Sequence, residues 1–413
     1  MSHSISRRAV LGAAAAVPVT AALPMQFAEA ATKATFTLNA VVLDGGEQIV
    51  SVTLHTAGLG NIDPASLKLD TFKVHAKATS PIPIDPGDLI FNEHDTDREV
   101  TKATIDQRGN ITLELFTLDQ KTPGSLGYIL IKGTNVELDL VYTITQLKPL
   151  KLRNRRNLVI SAFKQGKKSN PEVDAFTYGE SKGGMKYRLF TPANNGHNVG
   201  GKQPLVVWLH GGGEGGMGGA YYTNETTLRA NRGALGFATG WGQRIFGNAF
   251  VVAPQAITAW MSDGDGFAPQ IKALIDELLA SNHKIDPKRV HVIGCSNGGY
   301  MSLKMTSIYT DFFATSTPIC PGASEVFFTD DQLAKCSSTP TWFVHSKDDT
   351  TLPWEENTGR AMDIMDGEIA TLYDNVTWNG IPYPGHWSWI YVGHNDPTYK
   401  GKSLYQWMAK TKR

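Results

Sequence analysis

Residues 289–302 read RVHVIGCSNGGYMS. An apolar run ends on Gly294, a single serine follows at Ser296, and Gly298 and Gly299 open the helix-forming run GGYMSLKMTSI. Gly294-Cys295-Ser296-Asn297-Gly298 fits G-x-S-x-G, which has mechanical meaning where it ends a strand and begins a helix. The turn is tight enough that side chains at the glycine positions would clash. The serine then projects beside a helix N-terminus, whose free N–H groups favour developing negative charge. This reading calls for strands alternating with helices around the motif.

That alternation is present from about residue 175 to 413. PLVVWLH (204–210), AFVVAPQ (249–255) and PTWFVHS (340–346) are continuous apolar runs, as expected of strands buried on both faces of a mostly parallel sheet. Between them, FAPQIKALIDELLASNHK places Ile271, Leu274, Ile275, Leu278 and Leu279 on one helical stripe. PTYKGKSLYQWMAKTK reads as a terminal helix. The expectation is an α/β fold with crossover connections.

Residues 32–150 follow a different grammar. Val50, Val52 and Leu54 alternate with Ser51, Thr53 and His55, and Phe72, Val74 and Ala76 alternate with polar neighbours. ITLELF and VELDLVYTIT repeat the pattern between turns such as LDGGEQ, IDPGD and DQRGN. Period-two alternation broken by turns predicts an all-β sandwich of immunoglobulin-like size. LKPLKLRNRRNL (147–158) is basic and aperiodic, so 151–174 is expected to be a linker.

Composition narrows the function. The chain has 413 residues with 39 Lys+Arg against 39 Asp+Glu, so it offers no electrostatic footprint for nucleic acid. Arg7 and Arg8 precede an Ala/Val/Leu run that ends at Ala28-Glu29-Ala30, the order of a twin-arginine export signal over residues 1–30. Pro18 and Pro24 break that short run, which argues against a stable membrane span and for a secreted or extracytoplasmic protein. Of the three cysteines, Cys295 reads as a buried thiol, while Cys320 and Cys336 bracket a loop-like stretch and are candidates for a disulfide. No Cys or His spacing calls for a metal.

An elbow serine needs N–H donors for an oxyanion. Asn297, next after the serine, supplies one; the glycine loop of WLHGGGEGG supplies the other from Gly212, with Gly213 next. The order Ser, acid, His leaves His386 and His394 among 11 histidines. His386, in YPGHWSW, is favoured, and His394 reads as a surface or capping residue. The acid follows the 340–346 strand, where Asp348 and Asp349 are equivalent by spacing. Trp260 and Trp387 are candidates for the substrate pocket, and His210 and Glu214 for bracing the glycine loop.

At this point PLVVWLHGGGEGG, IDPKRVHVIGCSNGGYM, HSKDDTTLPW and GHWSW, in this order, resemble polyhydroxybutyrate-depolymerase-like and feruloyl-esterase-like α/β-hydrolases over about 175–410. With its β-rich front, the whole chain resembles bacterial esterases that carry an N-terminal Ig-like domain. The family pattern H-G-x-x-D-x-x-V-P falls on His345, Ser346, Asp349, Leu352 and Pro353, with serine and leucine where the family has glycine and valine. The resemblance therefore selects Asp349, and it places the catalytic histidine on His386 with Trp389 nearby. It implies cofactor-free hydrolysis of a small or polymer-borne ester through Ser296, Asp349 and His386. A prolyl-oligopeptidase-type peptidase and a non-catalytic glycan- or partner-binding protein are the competing expectations. For the Ig-like domain, polymer binding, homo-oligomer formation and shaping of the site entrance all stay open.

Overall fold

The computed structural model describes residues 32–192, 201–281 and 283–413. The export segment expected at 1–30 lies outside the described residues.

The first unit is all-β. Its main strands are β1 (Lys33–Leu43), β2 (Gly46–Leu54), β3 (Phe72–Thr79), β4 (His94–Arg98), β5 (Val100–Ile105), β6 (Ile111–Leu115), β7 (Leu126–Ile129), β8 (Thr134–Glu137), β9 (Asp139–Gln146) and β10 (Ala162–Ser169). One sheet runs β10-β1-β2-β6-β5 and a second β9-β3-β4, while Ile90–Phe91, β7 and β8 form a third, smaller one. Alternate residues face inward, as the strand period requires. Phe36, Leu38 and Ala40 of β1 meet Val74 and Ala76 of β3, and Ile144 of β9, in one core.

Two expectations need correction here. Val50 does not join Val52 and Leu54 in the core: the β1–β2 register shifts between Asn39 and Ala40, Val50 is the extra residue of the bulge, and Ile49 takes the buried place. The stretch 151–174 is not an unstructured linker. β10 lies inside it and pairs in parallel with β1 at the sheet edge, and Pro171–Asp174 forms a helical turn capped by Asn170. An edge strand has a neighbour on one side only, and β10 buries none of its residues fully, so its sequence shows no apolar alternation.

The second unit is built on an eight-stranded sheet. Its strands are β11 (Phe176–Glu180), β12 (Lys186–Phe190), β13 (Gln203–Leu209), β14 (Phe250–Pro254), β15 (Ile285–Cys295), β16 (Thr315–Ile319), β17 (Trp342–Ser346) and β18 (Ile369–Tyr373). The order is β11-β12-β14-β13-β15-β16-β17-β18, parallel from β14 onward and antiparallel across β11, β12 and β14. Every residue of β13, β14, β16 and β17 is buried, because apolar layers cover both sheet faces. Helices α1 (Gly264–Ala280) and α2 (Asn297–Ile308) pack on one face and α3 (Leu404–Lys410) on the other. The stripe read on α1 is the buried one, Ile271, Leu274, Ile275 and Leu278, with Leu279 at its margin. Asp263 starts that helix by accepting the Gly266 N–H at 3.0 Å.

The chain ends differently from expectation. Thr398–Tyr399 and Lys402–Ser403 form a hairpin whose two turn residues, Lys400 and Gly401, both have positive φ. Only after it does the Ser403/Gln406 capping box open α3. Cys320 and Cys336 are free and buried on opposite faces of the large sheet, so the candidate disulfide does not form.

The two units share a buried ionic junction. Glu47 of β2 accepts hydrogen bonds from Lys168, from Arg229 of the second unit, from Asn170 (2.8 Å) and from Ser125 (2.7 Å). Burial alone would raise the Glu47 pKa, but the Lys168 and Arg229 charges outweigh it and hold the carboxyl below its usual value. Arg229 also pairs with Glu225 at 3.0 Å, and Arg232 clamps Glu172 through two 2.8 Å contacts. Around this junction His394 reaches Asp44 (2.7 Å) and Tyr383 reaches Asp119 (2.8 Å). Arg229→Ala leaves Glu47 buried against one cation fewer, and denaturant unfolding should show a loss of about 3–5 kcal/mol. A loss below 1 kcal/mol would mean that the junction is solvated.

Candidate active site

The sharp turn between β15 and α2 carries Ser296 at φ 55°, ψ −114°. Few non-glycine residues occupy such a conformation, and neighbours must hold it in place. The Ser296 N–H is fixed by the Ile319 carbonyl at 2.8 Å. The motif glycines have a direct steric cause. A Cβ on Gly298 would lie 1.9 Å from the Leu209 carbonyl oxygen, and one on Gly294 would lie 2.6 Å from the same atom. The elbow can press on the end of β13 only without those side chains.

Three side chains from three segments meet there. His386 Nε2 lies 2.9 Å from Ser296 Oγ, and His386 Nδ1 lies 2.7 Å from Asp349 Oδ2. Of the two acids that spacing left equivalent, Asp349 is buried in this relay, while exposed Asp348 accepts from Ser346. Gly385 precedes the histidine because a Cβ there would sit 2.4 Å from Asp348 Oδ1 and 2.5 Å from its carbonyl oxygen. His394 lies apart from this cluster, stacked on Trp378 and paired with Asp44.

Asp349 is heavily solvated by protein donors. Its Oδ1 accepts the N–H groups of Thr351 (2.8 Å) and Leu352 (3.0 Å). Its Oδ2 also receives His345 Nε2 at 3.0 Å. That nitrogen faces two acceptors, Asp349 and the Leu352 carbonyl, so it carries the ring proton, and Nδ1 accepts the Thr358 hydroxyl. Burial opposes ionisation of Asp349, but the hydrogen bonds from His345 and His386 prevail and hold its pKa well below the carboxylate range. Sequence reasoning gave His345 no role. Its signal was the four-residue spacing to Asp349.

The glycine loop sits opposite. Gly212 opens a short 3₁₀ turn and Asn297 opens α2, so neither N–H has an intrahelical acceptor. A Cβ on Gly212 would come 3.2 Å from Asn297 Nδ2, which places the two segments side by side. Gly213 abuts Asn135 of β8. His210 fixes the loop from below. The Ala256 N–H donates to its Nε2 (3.0 Å), so Nδ1 carries the proton and donates to the Gly211 carbonyl (2.6 Å). Burial lowers its pKa to about 4 and keeps it neutral.

Trp260 must be reassigned. It is fully buried and donates from Nε1 to the His210 carbonyl at 3.1 Å, so it supports the glycine loop and is not among the residues lining the cavity beside Ser296. Trp387 does line the cavity, together with Trp389, which packs edge-on against His386. The cavity measures about 540 Å³ and is walled by both units: Ser296, His386 and Gly211–Glu214 on one side, Gln48, Tyr128 and Asn135 on the other. Cys320, Asp349 and His386 also bring metal-type donor atoms within 4.8 Å of one another, but both His386 nitrogens are already engaged in the relay.

Glu214 is the other residue whose setting was not legible. It is buried beneath the glycine loop, and its Oε1 accepts Asn135 Nδ2 across the unit boundary at 3.2 Å. Burial raises its pKa to about 7, against hydrogen bonds that lower it.

No protein-family model matches the chain. Poly(3-hydroxyalkanoate) depolymerase C of Paucimonas lemoignei is 32% identical over 161 residues, 35% of this chain. The match spans only 33% of that curated relative's length. A solved thermostable esterase superposes with a TM-score of 0.73 at 25% identity, covering 92% of this chain and 99% of the other. The second unit has the α/β-hydrolase fold, and the likeness to that esterase extends through the β-rich unit as well.

Glu214 yields a pH-linked prediction. A carboxyl with a raised folded pKa binds more protons folded than unfolded, so stability is lost as pH rises from the unfolded value toward 7. A shift from 4.5 to about 7 corresponds to about 3 kcal/mol. Glu214→Gln keeps an acceptor for Asn135 and should remove this decline from the stability profile between pH 4.5 and about 7. Identical profiles for wild type and variant would show that Glu214 ionises normally.

Proposed function

We propose that the protein is a serine carboxyl-ester hydrolase working through an acyl-enzyme intermediate. The observation that carries this reading is the continuous relay Ser296–His386–Asp349 at a cavity edged by the glycine loop. Ser296 Oγ attacks the ester carbonyl while its proton passes to His386 Nε2. The N–H groups of Gly212 and Asn297, with Gly213 adjacent, receive the oxyanion. Asp349, held ionised by His345 and its own loop, keeps the His386 Nδ1 proton in place and stabilises the imidazolium. His386 then protonates the departing alcohol, and a water activated by the same nitrogen releases the acid. Trp387 borders the substrate space.

We further propose that the β-rich unit is an Ig-like sandwich that shapes the entrance to the site, supported by its two sheets on one core and by Tyr128 and Asn135 in the cavity wall. The paired Arg7 and Arg8 support delivery out of the cytoplasm as a folded protein. No described helix is long and apolar enough to cross a membrane.

A fluorophosphonate probe should label the wild type and not Ser296→Ala, whose kcat on p-nitrophenyl acetate should fall by about 10⁴–10⁶-fold. Asp349→Asn should lower kcat by about 10⁴-fold while binding persists, because the imidazole would adopt the wrong tautomer. Near-normal turnover by the Ser296 variant, or amide cleavage outrunning ester cleavage in the wild type, would overturn the proposal.

A further inference from the structure

The small sheet of Ile90–Phe91, β7 and β8 has two unlike faces. Ile90 opposes Ile129, and both pack inward with Ala78, Val136 and Leu138. Residues directly opposite on antiparallel strands share a face, and neighbours along a strand alternate. The other face therefore carries Phe91 opposite Tyr128 and Tyr128 opposite Asn135. Leu130 follows on that face, its N–H bonded to the Leu89 carbonyl. One end of this face is the site wall: Leu126, Tyr128 and Asn135 line the cavity, and Asn135 abuts Gly213. The other end is apolar and open, with Leu89 59%, Phe91 49% and Leu130 47% exposed. From Leu126 through Tyr128 to Leu130 the row extends about 13 Å at ordinary strand rise.

We infer that this face is an extended subsite that holds an apolar chain of the ester substrate as it runs from Ser296 out over Tyr128 to Phe91, Leu89 and Leu130. The inference rests on the ester-hydrolase reading above. Contiguous exposed apolar side chains on a soluble protein mark a binding surface, and the continuity of this one with the cavity selects the substrate as its occupant. The chain gains by leaving water along the whole row, so affinity rises with its length. The scissile carbonyl stays at Ser296 for short and long esters alike, and kcat should depend little on chain length.

The test is the triple variant L89S/F91S/L130S, whose changes all lie on exposed positions of the small sheet, assayed beside the wild type. Two substrate series are used, p-nitrophenyl acetate to octanoate and ethyl to octyl acetate, which place the chain on either side of the ester. In one series the wild-type KM should fall with chain length. The variant should raise KM for that series' octyl member about 10-fold, equivalent to about 1.4 kcal/mol, and leave p-nitrophenyl acetate within about twofold. That unchanged acetate turnover also shows that the variant folds. Equal KM values for wild type and variant in both series would overturn the inference. So would a wild-type oligomer in sedimentation velocity that the variant dissociates without any change in chain-length preference, since a second copy would then be the occupant. A wild type without activity on any of these esters would instead sink the hydrolase reading itself.

Discussion

The contact on which the site depends is the approach of the elbow glycines to the Leu209 carbonyl. Gly298 and Gly294 both lean on that one oxygen, the last of β13. The same strand end continues into His210 and the glycine loop. One contact thus sets the distance between the nucleophile strand and the oxyanion strand. His210 and Trp260 then lock the loop from beneath, through a neutral imidazole and an indole N–H. The strained backbone of Ser296 persists because the sheet on both sides over-determines it.

The β-rich unit is part of the site's architecture. Its edge enters the cavity at Gln48, Tyr128 and Asn135, and its grip on the second unit joins buried ion pairs to apolar packing of Val42 and of Tyr221. A buried pair such as Glu47–Arg229 adds little net stability compared with apolar packing, but it tolerates little displacement, because each charge needs its partner in place. Such a junction fixes orientation. That suits a wall whose function depends on where Asn135 meets Gly213 and Glu214.

Much of this was legible in the sequence, for physical reasons. Ser296, the glycine loop and His386 announce themselves because tight backbone turns admit few residue types. The buried strands of the second unit do so because double burial demands unbroken apolar runs. What escaped depends on contacts remote in sequence. Nothing near Trp260 distinguishes an indole that supports a loop from one that meets substrate. Spacing alone could not part Asp348 from Asp349, and only the resemblance of the surrounding motif selected the one that His386 reaches. β10 was missed because an edge strand needs no apolar face, and the Val50 bulge because alternation continued through it in the letters but not in the ladder. Glu47 and Arg229 lie 182 positions apart, and no local pattern could join them.

The pairing of β10 with β1 also orders events during synthesis. The first strand of the described chain finds its parallel neighbour only when Ala162–Ser169 has been made. Until then, one edge of β1 is an open template, and β1 is paired only through its hairpin with β2 on the other side. Closure of the first unit therefore coincides with arrival of the segment that leads into the second. The same strand carries Lys168, one of the two cations on Glu47, ahead of Arg229 in the chain. One half of the ionic junction is thus supplied by the first unit's own chain and the other half comes only with the second unit.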